Sequence, residues 1–183
     1  MILIAIGANL PSPDGATPLL ACRSAVRALK AMPGTRIGAV SRWYETTPVP
    51  RSDQPNYVNG VVRLERIPGA AIGPESLLGN LRAIEDRFGR RRSEPNAART
   101  MDLDLIDMDG LVRDAPDPIL PHPRAHLRAF VLLPLLDVAP GWVHPANGKS
   151  ARTLADAADQ SGIRVLDAAS PACAILPGPR VIR

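Results

Sequence analysis

The sequence predicts an α+β fold: a ferredoxin-like βαββαβ core in which an antiparallel sheet is packed with helices. Three observations carry this reading. Segments of strand period and helical period follow one another in the order strand, helix, strand, strand, helix, strand. Pro-Gly, Gly and Asp-Gly punctuate them where turns are needed. The 183 residues are 45% apolar, enough to bury one core, so a single domain over 1–183 is expected.

Ile2 to Ile6 is a continuous apolar run ending at Gly7, which suits a buried central strand. Thr17 and Pro18 read as the N-cap and first residue of a helix whose apolar face is Leu19, Cys22, Val26 and Leu29, ended by Pro33-Gly34. A strand is expected from about Ile37 to Thr46, then a proline-rich loop from Thr46 to Gln54. The strand Asn56 to Glu65 has Val58, Val62 and Leu64 on a core face. Tyr57, Asn59, Arg63 and Glu65 lie on a polar face able to hold a ligand. Leu77, Leu81, Ile84 and Phe88 mark a second helix, closed by Gly89 and followed by a basic stretch from Arg90. Met101 to Met108 is read as a strand and Asp109-Gly110 as a hairpin turn into Leu111 to Arg113. Short helices are expected near His126 to Leu136 and after Ser150. The tail past Gly162 carries no clear signal and is unassigned beyond about 164.

The formal charge of +4 comes almost entirely from arginine, since Lys30 and Lys149 are the only lysines, and such a balance suits partners that present phosphate. Cys22 and Cys173 form no close-spaced pair, which points to a reducing cytoplasm and away from a disulfide framework or a cysteine metal site. The opening MILIAIGANL reads as a first strand and not as a signal peptide. No run of about 18 apolar residues is present, so no membrane partner is expected.

Asp102 and Asp104 stand two apart on a strand, so both carboxylates leave one face, while Leu103 and Leu105 take the buried face. Like charges so placed repel unless water or a cation intervenes, and two carboxylates can grip one or two Mg²⁺ ions for phosphoryl transfer. Asp107 is read onto the other face and Asp109 into the turn, so neither is placed in the site. Arg90, Arg91, Arg92 and Arg99 precede this pair, and guanidinium groups are permanent planar donors matched to phosphate oxygens. The chain has neither a Walker A pattern nor a kinase His-Arg-Asp loop, which leaves arginine plus metal as the means of holding phosphates.

Arg99-Thr-Met-Asp102-Leu-Asp104-Leu, with Thr46-Thr-Pro-Val and Gln54-Pro-Asn-Tyr57-Val-Asn59, resembles the 6-hydroxymethyl-7,8-dihydropterin pyrophosphokinase family of folate biosynthesis. The likeness runs from the segment Ile2 to Leu10 through His122 to Pro134. It implies transfer of diphosphate from ATP to the hydroxymethyl oxygen of the pterin, with release of AMP. Asp102 and Asp104 would hold two Mg²⁺ ions. Arg90, Arg92 and Arg99 would neutralise the transferring group, and His122 and Arg128 would contact the nucleotide phosphates. Leu78, Glu85 and Leu105 match positions that approach the nucleotide. Tyr57 and Phe130 would stack on the pterin ring, with Asn59 and the backbone of Thr46, Thr47, Pro48 and Val49 reading its edge. Small-molecule substrates follow from the resemblance; no nucleic-acid partner and a monomer are expected. The chain departs from the family at Pro95-Asn96-Ala97-Ala98, where relatives often carry tryptophan, and at Pro123, where an aromatic residue is common.

Two other readings fit parts of the pattern. Another Mg²⁺-dependent phosphoryl or nucleotidyl transferase would share the aspartates and arginines. A ferredoxin-like nucleic-acid-binding module would need exposed aromatics on its sheet, yet aromatic residues are only 3% of the chain.

Overall fold

The computed structural model describes residues 1–90 and 97–166. Its strands are β1 (Ile2–Ala8), β2 (Thr35–Val40), β3 (Tyr44–Thr46), β4 (Tyr57–Arg66), β5 (Asp102–Met108) and β6 (Ile163–Val165), and its helices α1 (Pro18–Lys30), α2 (Pro74–Arg87), α3 (Ala129–Val138) and α4 (Ala151–Ala157). The strands form one antiparallel sheet in the order β5-β1-β4-β3-β6, with β2 also paired to β4. The ferredoxin-like core is therefore present. None of the described helices is long and apolar enough to cross a membrane.

Helices cover both faces of the sheet, which explains why β1 is apolar throughout. Ile2, Ile4 and Ile6 pack with Cys22, Leu29, Leu77 and Leu81 from α1 and α2, while Leu3 packs with Val131, Leu132 and Leu135 from α3. Each such side chain contributes roughly 1.5–3 kcal/mol by burial. Thr17 caps α1, its hydroxyl accepting from the Leu20 N–H at 3.4 Å, with Pro18 in the first turn. Burial in this core pushes the Cys22 thiol up to about 12, so it serves as an apolar filler and not a nucleophile. After α2 the chain turns through Gly89 at φ +74°, where a Cβ would stand 2.3 Å from Pro13 Cγ.

Five details differ from the sequence reading. The strand expected from Ile37 to Thr46 is two strands: the Ser41 hydroxyl accepts from the Val61 N–H at 2.8 Å, interrupting the backbone ladder, and Trp43 is buried against Gly60. The second face of β4 is open to a ligand only at its start, because Val61 is buried beneath α3 and Arg63 donates to the Val138 carbonyl at 3.1 Å. Asp109-Gly110 does turn, with both residues at positive φ, but no hairpin follows, and Arg113 bridges Leu120 instead. The helix near His126 is a 3₁₀ turn at Ala125–Leu127 and then α3, separated by Arg128 in an extended conformation. Past Gly162, β6 pairs with β3.

A further correction concerns Asp107. Opposite Leu3 and Ile4 of β1, β5 carries a bulge in which Ile106 is left over between Leu105 and Asp107, and this one extra residue reverses the side-chain alternation. Asp107 therefore shares the face of Asp102 and Asp104. It stays outside their site because it lies at the far end of β5, accepting from Trp142 Nε1 at 2.6 Å and the Gly110 N–H at 2.8 Å.

Candidate active site

The α3 layer ends at Arg128 and leaves one end of its sheet face uncovered. There the pairings Gly7↔Asn59 and Gly7↔Asp102 set three adjacent strands side by side, with Ala5↔Asp104 in the next row of that face. Gly7 keeps the middle of this floor low: a Cβ there would lie 3.0 Å from Asn59 Oδ1. Above the floor is a cavity of about 600 Å³. Thr46, Thr47, Pro48, Val49, Tyr57, Asn59 and Phe130 line one part, and Arg90, Arg99, Asp102, Asp104, His122 and Arg128 the other. Thirteen of the residues singled out in the sequence are thus brought together.

The neutral part is held by hydrogen bonds. Asn59 Nδ2 donates to Thr46 Oγ1 at 2.7 Å. The Tyr57 hydroxyl reaches Gln54 Oε1 at 3.1 Å and the Ala97 carbonyl at 3.3 Å, fixing the ring from two sides. Phe130 is met by the Arg128 guanidinium, 5.4 Å from its ring centroid, a contact that draws the cation to the aromatic face.

The charged part is tied together by ion pairs. Asp102 is clasped by Arg90, with Nη1 at 2.6 Å from Oδ1, and by Arg99 on Oδ2. Arg90 also meets Glu85, whose Oε1 accepts from the Leu103 N–H at 2.7 Å. Glu85 is therefore buried, against the ordinary expectation of a solvated helix charge, and its role is to anchor Arg90 at the start of β5. His122 is half-buried. Its Nδ1 accepts from the Arg124 N–H at 3.2 Å, which leaves Nε2 facing Asp104 Oδ2 at 3.8 Å. Desolvation holds His122 below its usual value, against the pull of Asp104, so the ring is neutral near pH 7. Desolvation, and then the neighbouring Asp102 charge, push the Asp104 carboxyl up.

Among the described residues no group of three or more His, Cys, Asp or Glu could hold a metal ion. Two carboxylates nevertheless fit Mg²⁺, which takes one or two from the protein and its remaining oxygens from water and substrate phosphates. Asp102 Oδ1 is buried without a hydrogen-bond donor, its contact with Arg90 being an ion pair lacking that alignment. That atom and the raised Asp104 are what a cation would relieve.

Leu105 is buried in the core that faces α1 and α2, Leu78 lies half-buried on α2 and Glu85 is buried; none of the three lines the cavity. Arg92 lies outside the described residues. Gly7, Gln54 and Arg124 line the site although the sequence reading did not select them. Arg124 was findable, being a third charged residue between His122 and Arg128. Asn9, also not selected from the sequence, supports the site from behind its lining: almost wholly buried, it accepts from the Arg99 N–H at 2.8 Å and donates to the Pro55 carbonyl at 3.1 Å, joining the two parts of the site.

The family model for 7,8-dihydro-6-hydroxymethylpterin-pyrophosphokinase matches residues 3–140. A 2-amino-4-hydroxy-6-hydroxymethyldihydropteridine pyrophosphokinase of Synechocystis sp. is 36% identical over 141 residues, 77% of this chain and 70% of that protein. The protein of the same description from Pseudomonas aeruginosa is 38% identical over 139 residues, 76% of this chain and 80% of its own length. Among solved structures, wild-type HPPK-DHPS of Plasmodium falciparum superposes with a TM-score of 0.61 at 12% identity, over 85% of this chain and 44% of that longer one. The chain belongs to the 7,8-dihydro-6-hydroxymethylpterin-pyrophosphokinase family.

Proposed function

We propose that this chain transfers diphosphate from ATP to the hydroxymethyl oxygen of 6-hydroxymethyl-7,8-dihydropterin, releasing AMP, as a transferase of folate biosynthesis. The observation that carries it is that one cavity joins a neutral, ring-sized wall to a charged end across the Asn59–Gly7–Asp102 row. The hydroxymethyl oxygen bonds to the β-phosphorus, the bond from that phosphorus to the α-phosphate bridge breaks, and the hydroxyl proton is lost.

Each part of the site has work in this step. Tyr57 and Phe130 present aromatic faces to the pterin, and Asn59 with the Thr46–Val49 backbone meets its edge. This orients the hydroxymethyl group toward Asp102 and Asp104. Four arginines line the cavity against two aspartates, a surplus of positive charge suited to a polyphosphate. Arg90 and Arg99 balance Asp102 before substrate arrives and can then turn to the phosphoryl oxygens. Arg128 and neutral His122 meet the nucleotide phosphates. Asp102 and Asp104 would hold two Mg²⁺ ions, which supply Lewis-acid stabilisation of charge on the transferring group and its bridge.

The test is turnover of ATP by the purified chain with Mg²⁺, with and without the hydroxymethyl pterin. ATP consumption that requires the pterin is the expected result. Consumption indifferent to the pterin, or none with both substrates and Mg²⁺ present, contradicts the reading.

A further inference from the structure

The Thr46–Val49 wall lines two hollows, the 600 Å³ cavity and a second of about 200 Å³ that also takes in Phe130, Asp159, Ser161 and Ile163. Thr46 and Pro48 are buried while Val49 is exposed, and β3, the strand that leads into the wall, is held by β4 on one edge and by β6 on the other. Thr46 pairs with Ile163, and the Thr47 N–H donates to the Gly162 carbonyl at 3.2 Å. Gly162 sits at φ +70°, and a Cβ there would stand 2.4 Å from Thr47 Oγ1, 3.1 Å from its Cγ2 and 3.3 Å from its Cβ. Rotating the Thr47 side chain gives little relief, because a β-branched residue fills two of its three staggered positions and the Cβ itself is close. The backbone of the wall would have to move. Gly162 and β6 lie beyond the family match, which ends at residue 140.

We propose that Gly162 is a positioning residue for the ring-binding wall: its missing side chain lets Thr47 approach β6, and this sets how far the wall stands from Tyr57 and Phe130 across the slot that takes the flat heterocycle. The proposal rests on the reading of Thr46–Val49 as the pterin wall. Gly162 touches neither substrate and acts through Thr47. Its effect is therefore selective, falling on the ring and not on the phosphates, which are held by β5 and the arginines.

The experiment measures two dissociation constants, for 6-hydroxymethyl-7,8-dihydropterin by its fluorescence and for a non-hydrolysable ATP analogue with Mg²⁺. It uses the full chain with Gly162, Gly162→Ala and Gly162→Asn, alongside thermal unfolding. Misplacing a substrate wall on the ångström scale costs up to about a hundredfold, so a loss of pterin affinity of about ten- to a hundredfold is expected in both variants. ATP-analogue affinity should stay within about twofold, since no phosphate contact passes through Gly162. Asparagine tolerates positive φ better than alanine, so equal loss in the two variants assigns the effect to the Cβ. Recovery in Gly162→Asn would assign it to backbone strain and overturn the proposal, as would unchanged pterin affinity in Gly162→Ala or equal loss of both ligands. Should the unsubstituted chain fail to bind the pterin, the reading of the wall falls and this inference with it.

Discussion

The two ends of the cavity are built on opposite plans. At the neutral end, taken as the ring end, Asn59 is bonded to Thr46 and Tyr57 to Gln54 through neutral hydrogen bonds, so on the proposed reading the shape a heterocycle needs exists before it arrives. At the charged end, Arg90 and Arg99 are paired to Asp102, and on the proposed reading those pairs are exchanged when substrate and cation enter. A preformed wall contributes to ground-state binding, whereas groups that must be redirected are suited to acting on charge that develops in the transition state. Substitutions at the two ends should accordingly fail in different ways.

The largest effect is expected for Asp102→Ala, which removes a proposed metal ligand and the carboxylate shared by Arg90 and Arg99; turnover at saturating substrates should be almost abolished, and near-normal turnover would exclude the metal role. Arg99→Ala comes next. Arginine contacts in phosphoryl transfer are worth roughly 10³–10⁵ in rate, and with Arg90 and Arg128 close by the lower end, about 10³ in kcat, is expected with KM little changed. Arg99→Lys should rescue only part, since it restores charge without the planar fork. A kcat within a few-fold of normal, with weakened ATP binding, would make Arg99 a docking contact. At the ring end Tyr57→Ala should weaken pterin binding by about 1–3 kcal/mol, on the scale of aromatic burial, and leave ATP affinity nearly unchanged. Equal loss of both ligands would show Tyr57 to be a core residue and erase the contrast.

The smallest effect concerns stability. Asp104 has a folded-state value raised above 3.8 by desolvation and by Asp102. Between the ordinary and the raised value the folded chain binds more protons than the unfolded one, so Asp104 makes metal-free stability fall as pH rises through that window. Asp104→Asn should therefore raise the metal-free Tm near pH 7, by about 2–4 °C for each kcal/mol relieved, while removing activity. An unchanged or lowered Tm would mean that the Asp102–Asp104 repulsion is already relieved without a cation.

The fold was legible wherever one residue period and one punctuation mark coincided. Thr17-Pro18 marked a helix start, Ile2 to Ile6 a buried central strand, and Asp102-x-Asp104 a polar edge on a buried strand. What escaped depended on partners distant in sequence. The turned face of Asp107 follows from a bulge opposite β1. The break at Ser41 follows from a hydroxyl reaching β4, and β6 is three residues long, too short to show a period. In the site, the charged residues stood out because their types are costly to place together. Asn9 and Gln54 did not, because an amide's role appears only when the loops it joins are seen.

The reaction itself is tested most directly by the phosphorus products. Phosphorus NMR of a completed reaction with ATP, Mg²⁺ and 6-hydroxymethyl-7,8-dihydropterin should show AMP and a pterin diphosphate in equal amounts. Stoichiometric ADP with a pterin monophosphate would contradict attack at the β-phosphorus and the assignment built on it.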